Sequence, residues 1–372
     1  MAPASRSDFR IGWICALPVE MAAATAMLDE TFPPLPNRKD DHNKYILGRV
    51  GQHTIVITCL PAGIYGTTSA TATAFHMRYS FESIDVCFMV GIGGGAPGKH
   101  DIRLGDIVVS EPFGRYGGVV HYDRGKIVDG GRTMLTGALG KPPDAVLRTL
   151  CALKAHHFHT ISQVLEYYHE ALQRLPLLQE TMPYPGTDTD QLFFSGYPHV
   201  FPYSDCHMCD QSKIKQRAAR PDTRPRVFYG LIASGDKVIK DATTRDQLAQ
   251  EHDILCFETE AAGLMDIFPC LVVRGICDYA DSHKNKQWQG YAAAVAAAYT
   301  KELLLFLPYY ETPPPRTPPF QDTMVDTRPD NSQGFDIASP TPRRSEGIRP
   351  NRRTHRPPPC VQRGRGTAGW QV

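Results

Sequence analysis

From residue 9 to residue 307 the chain alternates short β-type apolar runs with stretches of helical periodicity, and this alternation constrains its fold more than any other feature. Residues 9–15 read as a first strand and 18–29 as a helix with proline in its first turn. Residues 45–50 and 53–60 read as two strands around Gly51, 66–79 as a helix, and 84–90 and 106–110 as strands. Further on come a strand at 227–233, a helix at 243–251, a strand at 254–257, a helix at 260–268, a strand at 271–277 and a helix at 289–307. Such alternation predicts an α/β chain, a three-layer αβα sandwich around a central mixed, largely parallel sheet. In such folds ligands gather at the carboxyl ends of the strands.

Charge and composition bound what that core can do. The 372 residues carry 40 basic and 39 acidic side chains, which excludes binding driven by gross charge and leaves no expectation of a nucleic-acid partner. Residues 311–372 hold 12 of the 31 prolines and 10 arginines but no lysine, and they are expected to form a disordered tail after a single domain spanning 1–310. Without the tail the charge is −3. The start of the chain has no basic segment leading into an apolar run and a cleavage site, so an intracellular protein with reduced thiols is expected. Residues 291–307 are the most apolar late stretch, but Lys301 and Glu302 interrupt them, and no membrane segment is expected. Residues 114–226 read as an irregular insertion.

Four places at predicted strand ends could carry chemistry. Glu20 stands one turn into the helix after the first strand, where an acid either answers the helix dipole or acts on a ligand. The run Gly91-Ile92-Gly93-Gly94-Gly95 lets backbone N–H groups approach a ligand, although no Gly-Lys-Ser/Thr follows it. Glu258, Thr259 and Glu260 put two carboxylates in another strand-to-helix turn. Asp278, preceded by Cys277, ends an apolar strand at the mouth of the sheet, where a partly desolvated carboxyl can hold a proton.

Together with Leu104-Gly105-Asp106-Ile107-Val108-Val109-Ser110, Ser234-Gly235-Asp236 and Arg274 to Asp281, these segments resemble the purine and uridine phosphorylase superfamily. That group includes the purine nucleoside phosphorylases and the methylthioadenosine/S-adenosylhomocysteine nucleosidases. The likeness spans about residues 9–110 and 227–307, and is closest to the fungal version, found alone or as the first domain of receptor-like chains. It implies that Asp278 is the acid on N7 of a purine, that Glu260 binds the ribose hydroxyls, and that Glu20 activates water. Gly91, Ile92, Gly93, Gly94, Glu258, Thr259, Val238 and Cys277 are then the expected substrate contacts. The substrate implied is a purine nucleoside or nucleotide, the assembly a homo-oligomer, and no cofactor is needed.

The chemistry supports such a set on its own terms. Breaking an N-glycosidic bond takes an acid on the leaving base, negative charge near a cationic sugar, and an attacking oxygen on the opposite face. Phosphate-using relatives carry arginines near the first strand and before the glycine run, to hold a dianion. Here those places read Ala16-Leu17-Pro18-Val19 and Phe88-Met89-Val90, which favours water; phosphate would be a co-substrate only in the alternative, a phosphorylase. A domain that senses a nucleoside or nucleotide without cleaving it is the other alternative. Val238 replaces a common aromatic wall for the base, leaving Trp288, Tyr291 or Tyr65 as candidates. Lys213, Lys215, Arg217, Arg220, Arg224 and Arg226 in the insertion would suit a 5′-phosphate or simply face water. Cys206-His207-Met208-Cys209 lacks a second Cys-x-x-Cys pair, so no metal is expected.

Overall fold

A computed structural model of the chain describes residues 5–129, 133–201 and 205–309. The expected tail lies outside the described residues. The strands are β1 (Ile11–Cys15), β2 (Glu30–Phe32), β3 (Tyr45–Val50), β4 (His53–Cys59), β5 (Val86–Gly95), β6 (Ile107–Ser110), β7 (Val119–His121), β8 (Gly125–Ile127), β9 (Thr133–Leu135), β10 (Val227–Ser234), β11 (Ile254–Glu258) and β12 (Cys270–Asp278). The α-helices are α1 (Pro18–Ala26), α2 (Thr67–Ser80), α3 (Asp144–His156), α4 (Val164–Arg174), α5 (Leu178–Thr181), α6 (Ala242–His252) and α7 (Gln289–Phe306).

The main sheet runs β11-β10-β6-β12-β5-β1-β4-β3-β2, with β7 beside β10. β1 pairs in parallel with β4 and β5, and β12 pairs in parallel with β5 but antiparallel with β6, so the sheet is mixed as expected. It also curls on itself: Gly94 and Gly95 at the end of β5 pair with Phe257 and Cys256 of β11. On one face lie α1, α3, α4 and α7, packed over Trp13, Phe88 and Val273. On the other, α2 covers Ile14, Met89 and Val272. Side chains alternate between these faces along each strand, which explains apolar runs without polar interruptions. Helix α7 is buried from Gly290 to Leu304 because it lies between the sheet and other helices, so it is apolar nearly all round.

Three expectations change. The glycine run is the second half of strand β5, held there by β12 on one edge and β11 at its tip, because ladder partners override the weak strand propensity of glycine. The helix expected at 260–268 is only a short 3₁₀ turn, Ala261–Gly263, since Glu258 takes the N–H groups of Glu260 and Ala261 and Gly263 packs against the backbone of Thr67. Residues 114–226, read as irregular, contain α3 and α4, whose buried Val146, Leu150, Leu153, Val164 and Tyr168 pack toward α7. Among the described residues no helix is long and apolar enough to cross a membrane.

The insertion is also tied down electrostatically. Buried Asp106 accepts two hydrogen bonds from Arg220 at 2.7 Å each, one from the Arg103 amide at 2.7 Å and one from the Arg226 amide at 2.9 Å. Arg217 pairs with Asp190 at 2.9 Å and Arg224 with Asp222. Arg217 and Arg220 thus tie the insertion to the sheet, whereas Arg224 is half exposed and pairs within its own segment. Asp106→Ala would remove both short carboxylate bonds of Arg220 and leave the Arg103 and Arg226 amides unpaired, and is expected to cost about 3–5 kcal/mol in urea unfolding, as for other broken buried pairs. A loss below about 1 kcal/mol, typical of an exposed pair, would show that solvent already screens it.

Candidate active site

Glu20 is placed by the first turn of α1, where Pro18 opens the helix directly after β1. Its Oε2 accepts the N–H groups of Ala16 at 2.7 Å and Leu17 at 3.0 Å, so the helix-start role is real. The same carboxylate crosses to β5, where its Oε1 accepts the Ile92 N–H at 2.8 Å. Only glycine permits that approach, since a Cβ on Gly91 would fall 2.2 Å from Glu20 Oε1. Three lone pairs are thereby used, leaving Oε1 one acceptor site.

The group that gathers the acids is Arg274, in the middle of β12 and almost wholly buried. It donates to Glu258, lies 3.6 Å from Glu260 and 4.0 Å from Glu20, and donates to the Ile92 carbonyl at 3.2 Å. Burial alone would lower its pKa, but Glu258, Glu260 and Glu20 outweigh that and hold it charged. Burial raises the pKa of Glu20 despite the opposing pull of Arg274, and raises that of Glu258 likewise. Arg274 Nε is buried with no hydrogen-bond partner among the described residues. A donor in that state points to an acceptor supplied by a ligand or water.

The expected contacts divide in two. Glu258 is consumed by Arg274 and by the amides of Glu260 and Ala261, so it shapes the turn instead of facing a substrate. Ser234 Oγ supports the same turn, accepting the Ala262 N–H at 2.8 Å. Glu260 keeps only the Thr259 hydroxyl, a long bond from the Thr259 amide and the flank of Arg274. The Ile92 amide, expected to face a ligand, is occupied by Glu20.

Asp278 ends β12, four residues beyond Arg274, and sits against Gly94, whose added Cβ would come 2.7 Å from its Oδ1. Gly91 under Glu20 and Gly94 under Asp278 are three residues apart on β5, about 10 Å at strand rise. The glycine strand therefore lets both acids approach its backbone, Glu20 from one face and Asp278 from the other. Asp278 Oδ1 accepts the Ala280 N–H at 2.9 Å, and its Oδ2 accepts the buried Cys277 thiol at 3.2 Å. Lys284 Nζ lies 3.0 Å from Oδ2, and Asp278 raises the pKa of that lysine despite burial. A cavity of about 390 Å³ opens on Asp278 and is lined also by Tyr279, Gln287, Cys206 and Gln211.

Sequence reasoning missed Arg274 and Lys284 as parts of the site. Arg274 could have been found: a charge inside a run as apolar as β12 demands buried partners. Nothing in the pattern marks Lys284. Trp288 and Tyr291 pack on Tyr184 in the interior, whereas Tyr65 and Val238 are exposed on two turns joined by Thr67 and Asp236.

Residues 10–305 match the family model of the phosphorylase superfamily. The chain belongs to that superfamily. It is 45% identical over 303 residues to a nucleotide-binding leucine-rich repeat (NLR)-like protein of Hyaloscypha variabilis, covering 81% of this chain but 29% of that protein. Thus the chain spans less than a third of this relative's length. Over 80% of its length it is 23% identical to the 5′-methylthioadenosine/S-adenosylhomocysteine nucleosidase of Mycobacterium bovis, spanning 96% of that enzyme. Over 84 residues, 21% of this chain and 17% of the other, it is 37% identical to the ATP nucleosidase Cap17 of Escherichia coli. The Helicobacter pylori methylthioadenosine/S-adenosylhomocysteine nucleosidase has the same fold, with a TM-score of 0.52 at 15% identity over 80% of this chain and 98% of that one.

If Gly91 exists to admit the Glu20 carboxylate, Gly91→Ala should cost about 1–3 kcal/mol, the usual range for overpacking. In a Glu20→Ala background most of that cost should vanish, as read by a double-mutant cycle in urea. Additive losses would show that the methyl group and the carboxylate do not compete for the same space.

Proposed function

We propose that the domain hydrolyses the N-glycosidic bond of a purine nucleoside or nucleotide. The observation that carries this is the glycine strand spanned by two unlike acidic ends: Glu20, Glu260 and Arg274 at one, Asp278 with Lys284 at the other. A substrate entering the cavity that opens on Asp278 and crossing the end of the glycine strand has its base at Asp278 and its sugar toward Glu260. Departure of the base leaves positive charge on the sugar, which the nearby carboxylate stabilises without moving. Glu20, already fixed by three backbone N–H groups, uses its remaining acceptor site to orient and deprotonate a water on the far face. Arg274 is the positioning residue for both glutamates.

The electrostatics favour water over phosphate. Arg274 faces three carboxylates, so a dianion entering at that end would meet net negative charge. At the base end, Asp278 and Lys284 form a pair from which a proton can reach N7 as the glycosidic bond breaks. A nucleotide substrate is favoured by the similarity to the ATP nucleosidase over 84 residues. Because Arg217, Arg220 and Arg224 are engaged by aspartates, its phosphates would need other partners.

Free base should be released from adenosine, methylthioadenosine, inosine, AMP or ATP without added phosphate, as followed by chromatography. Release that requires phosphate would replace this reading with phosphorolysis, and intact recovery of bound ligand would replace it with sensing. Asp278→Asn and Glu20→Gln should each lower kcat by about 10²-fold or more, the usual contribution of a positioned acid or base. Because burial raises the pKa of Glu20 and the base must be ionised, activity should fall with acidification at a pH above the ordinary glutamate range. That limb should disappear in whatever activity Glu20→Gln retains. An acid limb unchanged in this variant would remove Glu20 from the mechanism.

A further inference from the structure

We propose that His199, Cys206 and Cys209 form a zinc site, completed by His283 turning in from just outside that cluster as fourth ligand, that fastens the inserted segment to the loop following Asp278. The three ligand atoms of His199, Cys206 and Cys209 lie within 4.8 Å of one another. A Cys-x-x-Cys pair with imidazole is a soft, tetrahedral donor set of the kind that selects zinc over magnesium or calcium. The sequence offered only one such pair and no sign of which histidine would join it. The fold brings His199 back to the pair.

The ring nitrogens are arranged as metal-binding histidines require. His199 Nε2 lies 2.8 Å from the Asp205 carbonyl oxygen, so it carries the proton and leaves the Nδ1 lone pair for the metal. His283 lies with its ring centre 5.5 Å from that of His199, and Cys206 Sγ is 4.0 Å from the His283 carbonyl. The side chain of His283 is 5% exposed, with Nδ1 3.8 Å from Asp281. Its other nitrogen, Nε2, is buried with no hydrogen-bond partner among the described residues. A buried ring nitrogen without a partner, on a histidine with a carboxylate near its other nitrogen, is suited to a metal. Stacking on Phe193 at 4.0 Å fixes the plane of the ring.

Binding would release the thiol protons to solvent, each sulfur coordinating as thiolate. Cys206 and His283 both line the cavity that opens on Asp278. Zinc would therefore lock two walls of that cavity together, from segments more than 70 residues apart.

The test uses the full chain without an affinity tag, purified under reducing conditions and dialysed against metal-free buffer. Elemental analysis should find about one zinc per chain, as expected for a closed structural site. Cobalt(II) added to the apoprotein should give the visible bands of a tetrahedral ion and a thiolate charge-transfer band. Cys206→Ser and Cys209→Ser should abolish both signals, while Cys151→Ser, at an exposed cysteine, should leave them unchanged. His283→Ala should retain the thiolate band but alter the visible bands. Circular dichroism of each variant separates lost ligands from lost fold. Failure of the apoprotein to take up zinc or cobalt would overturn the proposal, as would stoichiometric zinc in the Cys206→Ser and Cys209→Ser variants or a Cys206–Cys209 disulfide in the metal-free chain.

Discussion

A single buried guanidinium organises the acidic centre of this domain. Removing an arginine from water costs several kcal/mol, and so does removing each glutamate, so the four groups are tolerable only together. Arg274 lies in β12, Glu258 in β11, Glu260 in the turn after it and Glu20 in α1, so the strands must meet in the observed register for the charges to match. The arrangement is thus both a condition of folding and a source of chemistry. With three acids around one base it retains excess negative charge, which suits a sugar that becomes cationic.

The strands and their terminal residues were legible because they follow two simple rules: apolar runs make buried strands, and functional side chains stand where those runs stop. Asp278 and Glu20 could be placed in this way from their neighbours alone. What could not be read were features decided by remote partners. Gly91 to Gly95 look like a loop until β11 and β12 supply hydrogen bonds, and α4 looks unremarkable until α7, more than a hundred residues later, covers its apolar face. Glu258 and Glu260 are chemically identical two residues apart; the strand ends at the first, and the turn that follows leaves the second less committed to Arg274. Lys284 reaches Asp278 through a loop whose course no periodicity records.

The inserted segment shows a second division of labour. Its arginines resemble an anion trap in the linear sequence, yet Asp101, Asp106, Asp190 and Asp222 claim several of them. Asp190 also accepts the hydroxyl of Tyr279, the residue after Asp278. The insertion therefore braces the Asp278 end of the sheet from outside, and any contribution to selectivity would come through the shape of the cavity beside it.

The pairing of β5 has one more consequence. Its first half is held by β1 and β12, and its tip by β12 and β11, so the glycine strand lies at the junction of the whole sheet instead of at a free margin. Enzymes often keep their working parts in segments that open more easily than the rest. Here such opening would separate the two halves of the molecule, which leaves little room for a folded but inactive intermediate. Loss of the site and loss of the domain should be one cooperative event, and catalytic competence would serve as a faithful gauge of how much of a population is native.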